Sequence, residues 1–275
     1  MKKDNKILHF TKMHGLGNDY IYFDLVTEAA EDVDWQEKAR LWSDRHTGIG
    51  GDGIVLILPS ETCDFRMRIF NADGSEAEMC GNASRCIGKY VYEHGLTDKT
   101  DLTLETGAGE KRLIINAVDG VVQDVSVDMG VPAEVRIVRE CGIEGIEKES
   151  LTVVNMGNPH AVLIADGEPE TRMVHEVGAR VEKATMFPKG TNVEFVQAVS
   201  RSEIRMRVWE RGSGETMACG TGACASVVAA RERGLVDSTV TVHLQGGDLK
   251  IKILDNGHVI MRGGATEVFG GEINL

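Results

Sequence analysis

Residues 74–82 read Gly-Ser-Glu-Ala-Glu-Met-Cys-Gly-Asn, and residues 214–221 read Gly-Glu-Thr-Met-Ala-Cys-Gly-Thr. Each stretch leads into a short helical pattern and places one cysteine, Cys80 or Cys219, directly before a glycine at the start of that helix. A thiol in this position is close to the positive end of the helix dipole and to free backbone N–H groups, which lower its pKa. Two such thiols predict a pair of opposed acid–base groups.

The two stretches belong to a longer internal repeat. At the cysteine spacing of 139 residues the following positions match: Asn71 with Glu210, Glu76 with Glu215, Gly95-Leu96 with Gly234-Leu235, Gly107 with Gly246, and Lys111 with Lys250. Upstream the spacing becomes 140, which pairs Gly17-Asn18 with Gly157-Asn158, Gly50 with Gly190, and Asp52 with Asn192. A repeat of this length predicts two pseudo-symmetric lobes that share one site at the seam between them.

Strand patterns dominate both halves, from Ile21–Val26 to a final short strand at Glu267–Phe269. Helices are predicted at 35–44, 82–94 and 221–233, and the glycines Gly95 and Gly234 end the last two. Residues 222–230 are almost all small or apolar, so this helix is expected to be buried on every side. The predicted class is therefore α+β, with each lobe a mostly antiparallel sheet around a central helix. The N-terminal lobe is predicted to comprise 1–120 plus 265–275, and the C-terminal lobe 121–264.

The length and composition of the chain argue against several classes of protein. A chain of 275 residues accommodates two domains, and its net charge of −13 argues against nucleic acid or an anionic membrane as a partner. No apolar run approaches the length of a membrane span, and the charged N-terminus leads into no signal-peptide core. The six cysteines follow no disulfide framework and are expected to be reduced thiols. A cytoplasmic location is predicted.

Two competing motifs are weak. Residues 48–53 match the dinucleotide fingerprint G-x-G-x-x-G, but a helix precedes them and a strand follows, which reverses the context that the fingerprint requires. The cysteine spacings do not match those of zinc sites, so no metal is expected. Cys86 and Cys224 fall inside helices, where a small buried side chain is the simpler interpretation. For His14 and His160, a place in the site and a structural role are equally good hypotheses.

The motifs resemble those of the diaminopimelate epimerase family. The strings that carry the resemblance are 13–20 (MHGLGNDY), 45–50 (RHTGIG), 71–76 (NADGSE), 79–82 (MCGN), 157–161 (GNPHA), 190–194 (GTNVE), 209–212 (WERG) and 218–222 (ACGTG). The resemblance runs from about Phe10 to the end of the chain. It implies a cofactor-independent epimerase that interconverts LL- and meso-diaminopimelate, with a two-lobed fold and a homodimeric assembly.

The resemblance also implies roles for individual residues. Cys80 and Cys219 become a two-base pair, one thiolate removing the α-proton while the other thiol delivers a proton to the opposite face. Backbone N–H groups at two helix N-termini would stabilise the substrate carboxylate as charge develops, at Gly81, Asn82, Gly220 and Thr221. Glu210 would hold the reacting ammonium group. The distal end of the substrate would be bound by Asn71, Asn158, Asn192 and Arg211, with Asn18 placed near the site.

Two departures from the family pattern bear on substrate fit. Ala83 stands where a second glycine is usual, and Gly53 stands where many members carry glutamine. The leading alternative function keeps the chemistry and changes the substrate: a cofactor-independent racemase of another amino acid such as histidine or proline. A different class, a non-catalytic redox-sensing or binding protein, is disfavoured because both cysteines at the helix starts are present.

Overall fold

The computed structural model describes residues 7–146 and 150–275. The helices are α1 (Trp35–Trp42), α2 (Gly81–Glu93), α3 (Gly178–Glu182) and α4 (Gly220–Glu232), with a π-helical segment at Met173–Val177. The strands of the first half are β1 (Ile7–Gly15), β2 (Asn18–Asp24), β3 (Gly53–Leu58), β4 (Phe65–Asn71), β5 (Glu76–Ala77), β6 (Asp101–Thr106), β7 (Gly109–Val118) and β8 (Val121–Asp128). The rest are β9 (Glu134–Val138), β10 (Leu151–Asn155), β11 (Pro159–Ala165), β12 (Asn192–Ser200), β13 (Glu203–Glu210), β14 (Gly214–Glu215), β15 (Thr239–Leu244), β16 (Gly247–Ile253), β17 (Val259–Gly263) and β18 (Thr266–Asn274).

The chain divides into two compact units. The described residues up to Val127 form the first together with Gly264–Leu275, and Asp128–Gly263 form the second. The first unit runs past the boundary at 120 that the sequence suggests, because β8 pairs antiparallel with β7. The chain end returns to the first unit through β18, which pairs antiparallel with β1 from Ile7 to His14.

The repeat is visible as the same order of elements in each unit. In the first unit β4, β5, α2, β6 and β7 follow one another, and in the second β13, β14, α4, β15 and β16 do so. An ion pair recurs at the same place, with Arg68 Nε 2.7 Å from Glu76 Oε1 and Arg207 Nε 2.7 Å from Glu215 Oε1. Most strand pairs are antiparallel, and each unit also contains a parallel pair at matching places, β2–β3 and β11–β12.

Each unit has one largely buried helix. Ten residues of α2 and ten of α4 are buried. In its own unit, α4 packs against β10, β11, β12, β13, β15, β16 and β17. Both helices end as expected at a glycine in the left-handed region, with φ of +72° at Gly95 and at Gly234. Within the described residues, no helix is both long and apolar enough to cross a membrane.

Polar side chains lie at strand ends next to the start of each buried helix. In the first unit Asn18 begins β2, Asp52 precedes β3 and Asn71 ends β4, and the pairing of Gly53 with both Tyr20 and Asn71 keeps these ends adjacent. In the second unit the matching ends carry Asn158, Asn192 and Glu210. Local register thus explains why residues far apart in sequence become neighbours within a unit.

Candidate active site

Cys80 occupies the N-cap of α2. Its backbone is extended (φ −140°, ψ 118°), and its carbonyl accepts the first helical hydrogen bond, from Ser84 N at 2.9 Å. Its thiol donates to Asn18 Oδ1 at 3.4 Å, and the same oxygen accepts from Asn82 Nδ2 at 3.2 Å. The sulfur is thus held beside the first turn of the helix, as the sequence predicted.

Asp52 fixes the orientation of Asn18. The Asp52 Oδ2 atom accepts from Asn18 Nδ2 at 2.8 Å and from the backbone N–H of Asp19 at 3.0 Å. Arg45 donates to the other oxygen at 2.9 Å. With its amide nitrogen taken by a carboxylate, Asn18 must present its carbonyl oxygen to Cys80.

Asn71 is turned towards its own loop. Its Nδ2 donates to Ser75 Oγ at 3.0 Å, and its backbone N–H donates to Ser75 O at 2.9 Å. The structure therefore places Asn71 at the end of β4, with its amide nitrogen engaged in the turn that precedes Cys80.

Cys219 occupies the equivalent N-cap of α4 and is only 6% exposed. Its sulfur accepts from Gly222 N at 3.4 Å and lies 3.5 Å from Thr221 Oγ1. Space around this turn is tight: a Cβ on Gly222 would lie 2.7 Å from Glu194 Oε1 and 3.2 Å from the Cys219 sulfur. The repeat partner Ala83 carries that Cβ and is itself fully buried.

The expected lowering of the Cys219 pKa is wrong. Burial raises the pKa of this thiol well above its ordinary value, and the carboxylates of Glu210 and Glu194 raise it further. The hydrogen bonds from Thr221 and Gly222 act in the opposite direction but are outweighed. The helix N-terminus is present as predicted, but burial and then the two nearby carboxyl groups outweigh its effect on the pKa.

Glu210 ends β13 next to Cys219. Thr216 Oγ1 donates a short hydrogen bond to Glu210 Oε1. Removal from water raises the pKa of Glu210, and hydrogen bonds from Thr216 and Cys219 offset part of that rise. The carboxyl group and the thiol therefore compete for ionisation, because each negative charge disfavours the other.

Four side chains are linked in series by hydrogen bonds, and the last of them, Thr221, lies beside Cys219. His160 Nδ1 lies 2.6 Å from Glu194 Oε1, and both side chains are fully buried. His160 Nε2 lies 2.9 Å from Asn158 Oδ1, and Asn158 Nδ2 donates to Thr221 Oγ1 at 3.3 Å. These contacts connect β11 and β12 to the first turn of α4.

Asn192 and Arg211 are joined through the backbone. Asn192 Nδ2 donates to Pro159 O at 3.1 Å, and Asn192 Oδ1 accepts from Arg211 N at 3.0 Å. The Arg211 guanidinium donates to Lys189 O at 3.3 Å from an exposed position. Asn192 thus links the start of β11 to the residue that follows β13, and Arg211 carries the exposed cationic group.

Comparison with known proteins identifies the family. The model of the diaminopimelate epimerase family matches residues 10–135 and 152–268.

The chain belongs to the diaminopimelate epimerase family.

The sequence similarity to relatives extends over nearly the full length of the chain. The diaminopimelate epimerase of Agathobacter rectalis is 48% identical over 288 residues, covering 98% of this chain and 100% of that protein. That of Phocaeicola vulgatus is 51% identical over 281 residues, covering 98% and 99%. A crystal structure of a hydroxyproline epimerase from Agrobacterium vitis aligns with a TM-score of 0.73 at 16% identity, over 100% of this chain and 94% of that one. This last similarity shows the fold alone, and it agrees with the predicted α+β class.

Within each unit the structure brings the predicted residues together around the cysteine. Cys80 lies with Gly81, Asn82 and Asn18, and Cys219 lies with Gly220, Thr221 and Glu210. Asn158 joins the second group through Thr221. Asn71, Asn192 and Arg211 are held mainly by local turns and backbone groups.

Sequence reasoning missed three polar contributors: Asp52, Glu194 and Thr216. Asp52 matches Asn192 in the repeat but was given no role. Glu194 offered a clearer signal, since a charged residue interrupts the apolar strand Val193–Val196 at a position that proves fully buried. A buried charge needs a partner, and this one has His160. In the part of the chain that the structure describes, no group of three or more His, Cys, Asp or Glu side chains could hold a metal ion.

Proposed function

We propose that this protein interconverts LL- and meso-diaminopimelate, supplying lysine biosynthesis and peptidoglycan precursors, with Cys80 and Cys219 as its two bases. One observation carries the assignment: in a chain of this family, a cysteine forms the N-cap of the matching buried helix in each unit. The enzyme is an isomerase of the diaminopimelate epimerase family. Its amino-acid substrate follows from the same relationship.

The reaction needs a base and an acid on opposite faces of one α-carbon. One sulfur, as thiolate, removes the α-proton, and the other, as thiol, donates a proton to the opposite face. The roles exchange in the reverse direction, so one sulfur is ionised and one protonated at the start of each turnover. The two groups consequently titrate as a coupled pair.

Charge that develops on the substrate is stabilised by backbone N–H groups. Gly81 and Asn82 at the start of α2, and Gly220 and Thr221 at the start of α4, supply donors at the positive ends of two helices. This is the electrostatic contribution that a cofactor-independent α-proton transfer requires.

The remaining residues bind the substrate. Glu210 holds the ammonium group on the reacting carbon, and its position beside Thr216 and Cys219 supports this role. The exposed guanidinium of Arg211 binds the distal carboxylate. Asn18, Asn71, Asn158 and Asn192 complete the set. We further propose a cytoplasmic homodimer, which sedimentation equilibrium and cell fractionation test directly.

Deuterium incorporation tests the function. The protein is incubated in D2O with LL-diaminopimelate, and separately with L-histidine and L-proline, and α-deuteration is followed by NMR. We expect exchange and meso product with diaminopimelate alone. Exchange only with histidine or proline would instead establish the racemase alternative, and no exchange on any substrate would reject the epimerase assignment.

Substitution tests the two bases. Cys80→Ala and Cys219→Ala should each abolish epimerisation, because each removes the acid or the base for one face. Cys63→Ala is the matched control, since this partly exposed cysteine lies in the loop before β4, where the proposed site has no residue. An active Cys80→Ala or Cys219→Ala protein would contradict the two-base assignment.

A further inference from the structure

The pair Glu194 and His160 has no part in the two-base reaction as described so far. Both side chains are fully buried, and 2.6 Å separates His160 Nδ1 from Glu194 Oε1. The parallel register of β11 and β12, which sets His160 beside Asn192 and Val162 beside Glu194, brings the two together. Glu194 Oε2 is buried and has no hydrogen-bond partner among the described residues.

This arrangement determines where the hydrogen atoms lie. A carboxylate beside a neutral imidazole protonated on Nδ1 would bury a net negative charge, with one oxygen unpaired, which is costly. Two electroneutral states avoid that cost: an imidazolium with a carboxylate, or a neutral imidazole accepting from a protonated carboxyl group. In both states the Nε2 atom of His160 carries a hydrogen.

The orientation of Asn158 follows from that hydrogen. His160 Nε2–H donates to Asn158 Oδ1 at 2.9 Å, so the Asn158 amide nitrogen must face Thr221, to which it donates at 3.3 Å. The Thr221 hydroxyl accepts that bond and keeps its own hydrogen. Cys219 Sγ is 3.5 Å from this hydroxyl oxygen.

We propose that Glu194 is a positioning residue that acts through His160, Asn158 and Thr221 to aim a hydroxyl hydrogen at the sulfur of Cys219. The chain has one direction, because each member donates to the next only while Nε2 of His160 is protonated. The proposal rests on the proposed function only in taking Cys219 as one of the two bases. Besides Glu194, the ionisable group that acts on this sulfur is Glu210.

The direction of the chain is tested without substrate. Unliganded protein is labelled with ¹⁵N-histidine, and the His160 signals are assigned by their loss in His160→Gln. We expect a hydrogen on Nε2. A ring with Nε2 unprotonated would overturn the proposal, because Asn158 would then have to donate to the ring and reverse its amide.

The functional consequence is tested by a double-mutant cycle between Glu194→Gln and Thr221→Val. Glutamine keeps the shape but no longer requires a hydrogen on Nε2. We expect Glu194→Gln to lower kcat by about five- to tenfold, the cost of roughly one hydrogen bond. In the Thr221→Val background the same change should have almost no effect, and in Thr221→Ser, which keeps the hydroxyl, the full effect should return.

The alternative is that Glu194 only stabilises the β11–β12 pairing. In that case Glu194→Gln lowers activity equally with threonine, valine or serine at position 221. This result would reject the proposal. Glu203→Gln, on the exposed surface of β13, controls for loss of a charge. If the wild-type protein does not deuterate diaminopimelate, the proposed function is rejected. The NMR result still tests the direction of the hydrogen-bond chain. If Glu194→Gln does not fold, the NMR measurement on wild type decides alone.

Discussion

At the scale of single residues, Cys80 and Cys219, the two proposed bases, share a backbone position and differ in surroundings. Cys80 faces the carbonyl oxygen of Asn18, whereas Cys219 faces a hydroxyl group, a backbone N–H and two carboxyl groups. The repeat predicted the shared position because helix caps have local sequence signatures. The difference could not be predicted, because it depends on Glu194 and Glu210, which other strands supply.

The raised pKa of Cys219 leads to a prediction about alkylation. Since burial and then Glu210 disfavour the thiolate, iodoacetamide should modify Cys219 faster as the pH rises past the ordinary thiol value of 9.0. Glu210→Gln removes a negative charge, stabilises the thiolate and should move this rise to lower pH. Mass spectrometry of the Cys219 peptide gives the rate at each pH. An unchanged profile in Glu210→Gln, or an equal shift in the Glu203→Gln control, would contradict the electrostatic explanation.

Gly222 and Ala83 form a matched pair at equivalent helix positions. Gly222→Ala adds a Cβ 2.7 Å from Glu194 Oε1, and because Glu194 is buried and paired with His160 it cannot simply move aside. We expect a loss of stability of roughly 1–3 kcal/mol from overpacking, together with a fall in kcat. The reverse change, Ala83→Gly, should cost about 1 kcal/mol through helix propensity.

Urea unfolding and steady-state kinetics measure both variants. If Gly222→Ala retained wild-type stability and kcat, the first turn of α4 would have more room than the structure shows.

At the scale of elements, helices were predicted better than strands. The predicted limits of α2 and α4 lie within one residue of the observed ones, because cysteine-glycine starts and glycine ends mark both. Strand β1 was missed because Lys12 interrupts its apolar pattern. In the structure Lys12 is buried and pairs with Asp19, so a charged residue occupies an interior position.

Strand β18 was predicted as only Glu267–Phe269, although it extends from Thr266 to Asn274. Gly270 and Gly271 suggest a break in the sequence, but at Gly271 the missing side chain makes room for the Phe10 ring. A Cβ there would lie 2.6 Å from Phe10 Cζ, whereas at Gly270 its nearest neighbour would be 3.6 Å away.

These adjacent glycines give a prediction for the strand. Gly271→Ala should destabilise the protein by roughly 1–3 kcal/mol, because the Phe10 ring must leave its place in the core. Gly270→Ala is the matched control and should change the free energy of unfolding by less than about 1 kcal/mol. Thermal and urea unfolding decide between them, and equal stability of the two variants would show that β18 does not pack on Phe10 as described.

At the scale of the whole molecule, the repeat predicted the class and the presence of two units, because duplicated caps and turns are local patterns. The exact division could not be predicted, because β8 shows no composition break and joins the first unit through its pairing with β7 and a hydrogen bond from Val122 N to Glu93 Oε1 of α2. The candidate site followed the same rule. The helix-start residues were predicted from their local motifs, whereas the contacts of Asp52 and Glu194 depend on strand register and were not predicted, although Asp52 lies in the motif at 48–53 and Glu194 in the string at 190–194.

The return of β18 to β1 has a consequence for biosynthesis. The second unit is one continuous segment, so a growing chain contains all of it before Gly264–Leu275 are added. The first unit begins earlier but needs Gly264–Leu275, since β1 pairs with β18 along most of its length. We therefore expect the half made first to mature last. Until β18 is synthesised, one edge of β1 is an open edge that the cell must keep from pairing with other chains.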